Sequence, residues 1–142
     1  VRLHFLCYSS IRTDDHENLL EEITNILQVA RVFNKKHHIT GVLYYSHGQF
    51  FQYIEGFKPT IENLFDHIAV DKRHHAIHYY GTLPTEQRRF KDWSMKYVKG
   101  DSRIRAFLEE REKNYPVSYH VVEDNLIVFI EELILIEKSG DT

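Results

Sequence analysis

Two aromatic and β-branched runs, Ile39–Ser46 and Gln49–Ile54, stand either side of a His47-Gly48 pair, and no other feature limits the fold so tightly. A two-residue gap ending in glycine predicts a hairpin, because the tight turn needs backbone angles that glycine adopts freely. Side chains alternate along a strand, so Phe50 and Ile54 face one way and Phe51 and Tyr53 the other. A sheet that is apolar on both sides needs two covers.

The flanking segments say what those covers are. Leu3 to Tyr8 reads as a strand. Thr13-Asp14-Asp15 offers helix caps, with Glu17 placed as in a capping box that starts at Asp14. Leu19, Ile23, Ile26, Leu27 and Ala30 follow at helical spacing, predicting a helix to about Lys36. Pro59, then Ile61, Leu64, Phe65 and Ile68, predicts a second helix ending near Asp71. Ala76–Leu83 and Trp93–Val98 read as two more strands. The order β-α-β-β-α-β with an extra fifth strand predicts an α+β, ferredoxin-like domain, its two helices on one face of a mixed sheet. The second cover is expected from C-terminal helices over Arg103–Leu108 and Asn125–Ile136, divided at Pro116. The runs Leu126–Ile130 and Leu133–Ile136 also read as strand, but Glu131-Glu132 and the overall length favour a helix. The expected division is a core at 1–98 and a helical cap at 99–142.

Composition narrows the function classes. A chain of 142 residues suits one domain, and 13% aromatic residues exclude disorder as its main state. A net charge of −3 argues against a dedicated nucleic-acid surface, and no apolar run is long enough to span a membrane. The start, Val1-Arg2-Leu3-His4-Phe5, resembles no signal or transit peptide, and a single cysteine offers no internal disulfide. A cytoplasmic location is expected.

Three polar residues break apolar patterns. Gln52 lies between Phe50 and Ile54 on one strand face, Asn34 continues the first helix's stripe four residues after Ala30, and Tyr8 shares a face with Leu6. Burying such a group unpaired costs about 1–3 kcal/mol. If the helices cover that face, all three point into one layer. Satisfied core groups or a frayed helix end are the bland alternative. Two amides and a phenol, however, suit neutral hydrogen bonds to a flat heterocycle far better than they suit hydrolysis.

These residues carry a family resemblance. Leu6-Cys7-Tyr8-Ser9-Ser10, then Asn34 ahead of Ile39-Thr40-Gly41-Val42-Leu43-Tyr44-Tyr45, then Phe50-Phe51-Gln52-Tyr53-Ile54-Glu55-Gly56 resemble the BLUF family of flavin-binding blue-light sensors. Asp71-Lys72-Arg73-His74-His75, Phe90 and Trp93-Ser94-Met95 extend the match to about residue 98. The remainder resembles the helical cap of short, stand-alone members. The resemblance implies FAD, with FMN or riboflavin as alternatives, its ring between the two helices. Asn34 would bond the ring's C4 carbonyl and N3 edge, and Gln52 would sit between the N5/O4 edge and the Tyr8 hydroxyl. Ile26, Ala30, Phe33 and Ile68 would join the binding wall. Asp71 would lie near the ring's edge, and Arg73, His74 and His67 near the ribityl and phosphate end. Phe33 and His67 depart from residues common in relatives. Light would move an electron and then a proton from Tyr8, Gln52 would rearrange, and the spectrum would shift to the red and relax in darkness. Trp93, Ser94 and Met95 would relay the change, Trp93 and Met95 on one strand face and Ser94 on the other.

Other readings compete. His74, His75 and His78, with His67 nearby, have spacings that could ligate zinc, but no metal site is expected. A small flavin-dependent redox enzyme or a non-photoactive ferredoxin-like interaction domain are the alternatives; isolated Gly41, Gly48 and Gly56 make no phosphate loop. No enzymatic turnover is expected. Output is expected in trans, to a regulatory protein through the C-terminal helices, with Leu126–Ile136, Arg103, Arg105 and Lys138 as the surface or as a homo-oligomer contact. Neither nucleic acid nor membrane is expected as a direct partner.

Overall fold

The computed structural model describes residues 2–13, 18–99, 130–131 and 133–135. Seven elements follow in the order β1 (Leu3–Arg12), α1 (Leu19–Lys36), β2 (Thr40–Ser46), β3 (Gln49–Phe57), α2 (Lys58–Ala69), β4 (His74–Thr85) and β5 (Lys96–Lys99). The strands form one sheet in the order β4-β1-β3-β2-β5. This is the α+β, ferredoxin-like arrangement read from the pattern. Within it, β1 pairs antiparallel with both β3 and β4, and β2 antiparallel with β3. Each helix carries the chain past an intervening strand, so β1 to β4 run antiparallel to their neighbours among these four.

The β2–β3 hairpin turns at His47 and Gly48, with φ of 49° and 81°. Two positive φ values match the right-handed twist of the strands. Deeper in the hairpin, a Cβ on Gly41 would lie 2.1 Å from the Tyr53 carbonyl oxygen, so only glycine lets these strands approach.

Both sheet faces are buried. On the helix side, Leu6, Tyr8, Leu43, Phe50 and Ile54 pack with Ile23 and Leu27 of α1 and Ile61 of α2. On the other side, Phe5 stacks on Tyr53, which meets Phe90 edge-on at 5.3 Å. A buried Glu55 carboxylate anchors the loop before β5. It accepts from Thr40 Oγ1, Tyr53 OH and the backbone N–H groups of Arg89 and Phe90, all at 2.8–3.0 Å.

Several boundaries differ from the sequence reading. Asn18 caps α1, its side chain accepting from the N–H groups of Leu20 and Glu21, so the cap expected at residues 13–15 is not the one used. Asp14, Asp15 and Glu17 lie outside the described residues. The helix α2 ends at Ala69, two residues short of Asp71. The fifth strand starts at Lys96, not Trp93. Trp93, Ser94 and Met95 therefore precede the strand, and strand alternation does not govern where they point. Their carbonyls bond instead to Gly41 N, Asn34 Nδ2 and Arg31 Nε.

The chain divides into two compact units, Val1–Tyr97 and Val98–Thr142. In the second, Ile130, Glu131 and Leu133–Leu135 are helical, the state expected of that piece. The expected helix at Arg103–Leu108, the break at Pro116, Leu126–Phe129, Ile136 and Lys138 lie outside the described residues, and with them the helical cover of the second sheet face. Among the described residues no helix is long and apolar enough to cross a membrane.

Candidate functional site

Register builds the centre of the site. Tyr8 on β1 and Gln52 on β3 are direct cross-strand partners, so both side chains project from the same sheet face. Tyr8 OH donates to Gln52 Oε1 at 2.6 Å, and both residues are buried. The amide is used at both ends, because Gln52 Nε2 donates to Met95 Sδ at 3.7 Å.

The first helix brings the third polar group. Asn34 lies four residues beyond Ala30 and seven beyond Leu27 on the face that packs on the sheet, and it is fully buried. Its Nδ2 donates to the Ser94 carbonyl at 2.6 Å, while its Oδ1 has no hydrogen-bond partner. A bare buried oxygen is unusual in a native fold, and Glu22 Oε1 is the other such atom among the described residues.

These groups line a cavity of about 330 Å³ between the sheet and the two helices. Tyr8, Ile26, Ala30, Phe33, Asn34, Gln52, His67, Ile68, Asp71, Arg73 and His74, all named from the sequence, line it together. Val29, Leu43, Phe50, Asn63 and Leu64 also line it and were missed. Spacing could have found them. Leu43 pairs with Gln52 in the sheet, Phe50 is two residues from it on the same strand, and Val29, Asn63 and Leu64 lie one helical turn before Phe33, His67 and Ile68.

One end of the cavity is charged and paired. Arg73 meets both carboxylate oxygens of Asp71, its closest approach 2.7 Å, and also donates to Asn25 Oδ1. The Arg73 hydrogen bonds hold the Asp71 carboxyl below its ordinary 3.8. His74 Nε2 donates to the Ile68 carbonyl, leaving Nδ1 to accept from the Ser10 hydroxyl. His67 is exposed and donates through Nδ1 to the Asn63 carbonyl. Among the described residues no cluster of three His, Cys, Asp or Glu groups is arranged to hold a metal ion.

Burial, and secondarily the Asp71 charge, pushes the Tyr8 phenol well above its ordinary range. The proton therefore stays on Tyr8 and in the bond to Gln52 at neutral pH. Of the expected relay residues, Met95 is buried against Gln52, Ser94 contributes its carbonyl, and Trp93 is only half-buried, with the Lys96 ammonium 4.5 Å from its ring centre.

The family described as "Sensors of blue-light using FAD", BLUF, matches residues 3–96. A photoactivated adenylate cyclase subunit alpha from Euglena gracilis is 33% identical over 95 residues, which is 67% of this chain and 9% of that protein. The chain thus spans about a tenth of the length of the curated relatives it matches. Among solved structures, BlsA in its photo-activated state superposes with a TM-score of 0.86 at 37% identity, covering 93% of this chain and 94% of that one. The BLUF protein BlrB in its dark state does so with a TM-score of 0.69 at 31% identity, covering 88% and 95%. These relatives favour the sensor over the redox-enzyme and non-photoactive alternatives. The matched region contains both helices, the strands between them and the Tyr8–Gln52 pair, and the chain belongs to the BLUF family of flavin-binding blue-light sensors.

Proposed function

We propose that this chain is a blue-light photoreceptor that holds FAD with its ring in the cavity between α1, α2 and the sheet, and reports illumination by resetting the Tyr8–Gln52 hydrogen bond. The observation that carries this reading is the buried 2.6 Å bond from Tyr8 OH to Gln52 Oε1 on the wall of a 330 Å³ cavity. The cavity fits a flavin head in chemistry as well as size. Ile26, Ala30, Phe33, Leu64 and Ile68 offer apolar surface to a flat ring, and the bare Asn34 Oδ1 suits the N–H on the ring's polar edge. Arg73 and His74 would lie toward the phosphate end, Arg73 already balanced by Asp71.

A bound flavin supplies the blue absorption and, once excited, the oxidising power. The rest is residue chemistry. If Tyr8 gave up an electron to the excited flavin its phenol would become a strong acid, and the bond to Gln52 Oε1 is the path along which its proton would leave toward the flavin and come back when the electron returns. The Gln52 amide presents a donor and an acceptor from one group, so a half-turn exchanges what it offers to Tyr8 and to Met95. That makes it a two-state element of the kind a switch needs.

Ser94 and Met95 would carry the change outward, Asn34 and Gln52 touching one each, with Trp93 at the surface end of the same segment. We infer that output passes by contact to a separate regulatory protein through the C-terminal segment, where Leu135 is exposed while Ile130 and Leu133 are buried; a second copy of the chain is the other partner this surface fits. In the Euglena gracilis relative named above, the comparable region belongs to a photoactivated adenylate cyclase subunit. This chain's own part is sensing, not turnover, and a cytoplasmic setting suits it.

The test is an absorption spectrum of purified protein in darkness and after blue light. A flavin spectrum that shifts to the red and returns in darkness supports the reading. Bleaching that reverses only on admission of air points to a redox enzyme, and a protein that takes up no flavin refutes the proposal.

A further inference from the structure

Ser94 and Met95 bring a carbonyl and a sulfur into the site, yet neither residue lies in a strand ladder. Side chains of α1 hold them. Asn34 Nδ2 donates to the Ser94 carbonyl at 2.6 Å, and Arg31 Nε donates to the Met95 carbonyl at 3.0 Å. Residues three apart on a helix share a face, so α1 grips two successive carbonyls. Upstream, Gly41 N donates to the Trp93 carbonyl at 3.2 Å, and Glu55 fixes the Arg89 and Phe90 amides. The backbone of this segment is thus held on both sides of Met95's sulfur-bearing side chain.

Arg31 stands apart from the rest of this set. It is half-buried and not part of the cavity wall, and its Nε–H goes to a backbone carbonyl. A guanidinium bound to a carbonyl makes a stronger hydrogen bond than a neutral donor does. What it secures is a weak contact: Met95 Sδ accepts from Gln52 Nε2 at 3.7 Å. With the sulfur in place, the amide keeps Nε2 toward Met95 and Oε1 toward Tyr8. The opposite orientation would set Oε1 against sulfur, two electron-rich atoms face to face.

We propose that Arg31 is a positioning residue of the switch. Acting through the Met95 carbonyl, it holds Met95 Sδ against Gln52 and so biases the orientation of the Gln52 amide. This rests on the reading of the chain as a flavin photoswitch. A loosened Met95 presents its sulfur for a smaller fraction of the time, so the amide returns to this orientation more slowly after light.

Met95 is the sequence's one methionine, so a ¹³C label on the methionine ε-methyl reports on it alone once any start methionine has been cleaved. In flavin-free protein, Arg31→Leu is expected to shift and broaden that signal, while Arg31→Lys, which keeps a donor, restores much of it. In flavin-loaded protein, Arg31→Leu is expected to slow dark recovery about 3- to 10-fold, the scale of one ordinary hydrogen bond, because solvent at this half-buried site offsets the guanidinium's advantage, with flavin affinity unchanged. In a Met95→Leu background the same substitution should add nothing. An Arg31→Leu protein with the wild-type methyl signal and recovery rate overturns the proposal. So does a full-sized effect of Arg31→Leu when Met95 is already absent. A wild-type protein that binds flavin without any reversible red shift overturns the underlying photoswitch reading instead, and the methyl signal still shows whether Arg31 positions Met95.

Discussion

Replacing Asn34 with alanine separates binding from folding in a way that few single substitutions do. In the flavin-free protein the side chain has opposing effects on stability. The Nδ2 bond to the Ser94 carbonyl contributes about 0.5–1.5 kcal/mol, while the unpartnered Oδ1 costs about 1–3 kcal/mol. Truncation removes both, and because Asn34 lines an existing cavity it widens that space without opening a new void in the core. The two effects oppose each other, so the flavin-free stability should change by about 1 kcal/mol or less, some 3–4 °C in melting temperature at most for a chain of 142 residues. Binding behaves otherwise. A ligand N–H that reaches Oδ1 relieves its desolvation, and alanine forfeits that relief. Affinity for flavin should fall by about 1–3 kcal/mol, roughly 5- to 150-fold in Kd. The assays are a fluorescence titration of flavin-free protein with FAD and a melt of the same sample. An unchanged Kd would refute the assignment of Oδ1 as a ligand acceptor. A large fall in melting temperature with an unchanged Kd would make Asn34 a structural residue.

Other expectations follow from the same geometry. Tyr8→Phe and Gln52→Leu should each abolish the reversible red shift while leaving flavin bound, and a Gln52→Leu protein that photocycles normally would refute the switch. Glu55→Ala leaves four donors without their acceptor and should cost about 3–6 kcal/mol, read by denaturant unfolding; a loss below 1 kcal/mol would mean that solvent replaces those bonds. Asp71 is held below its ordinary 3.8, chiefly by Arg73. A carboxyl with a depressed folded pKa adds stability that is present above its unfolded pKa and is lost as pH falls through the folded one. Asp71→Asn should therefore lower the melting temperature slightly above about pH 4 and converge with wild type in stronger acid, the effect staying small because the pair is partly exposed. A difference that is constant with pH would show that the ion pair is not its source.

Local pattern was enough for a good part of this molecule. The hairpin was legible in two residues, because His47-Gly48 between apolar runs leaves the backbone few alternatives. The helix stripes were legible because burial enforces a 3.6-residue period. Tyr8, Gln52 and Asn34 stood out as polar side chains at core positions, where burial costs too much to be incidental. The cap of α1 was not legible, since Asp14, Asp15 and Asn18 are all competent caps and the choice depends on where the packed face must begin.

What only the tertiary structure decided lies in contacts between residues far apart in the chain. Composition and alternation cast Trp93–Val98 as a strand, yet the carbonyls of Trp93, Ser94 and Met95 go to Gly41, Asn34 and Arg31 and leave the ladder to start at Lys96. Arg31 and Glu55 look from the sequence like ordinary charged residues, and each binds backbone that lies more than 30 residues away. The direct cross-strand register that sets Tyr8 opposite Gln52 likewise comes only from the pairing of β1 with β3. The physical reason is common to all of them. Periodicity records which face of an element is buried, because every residue on that face responds to the same solvent. A hydrogen bond depends on the positions of two atoms, and those are set only when separate elements have packed.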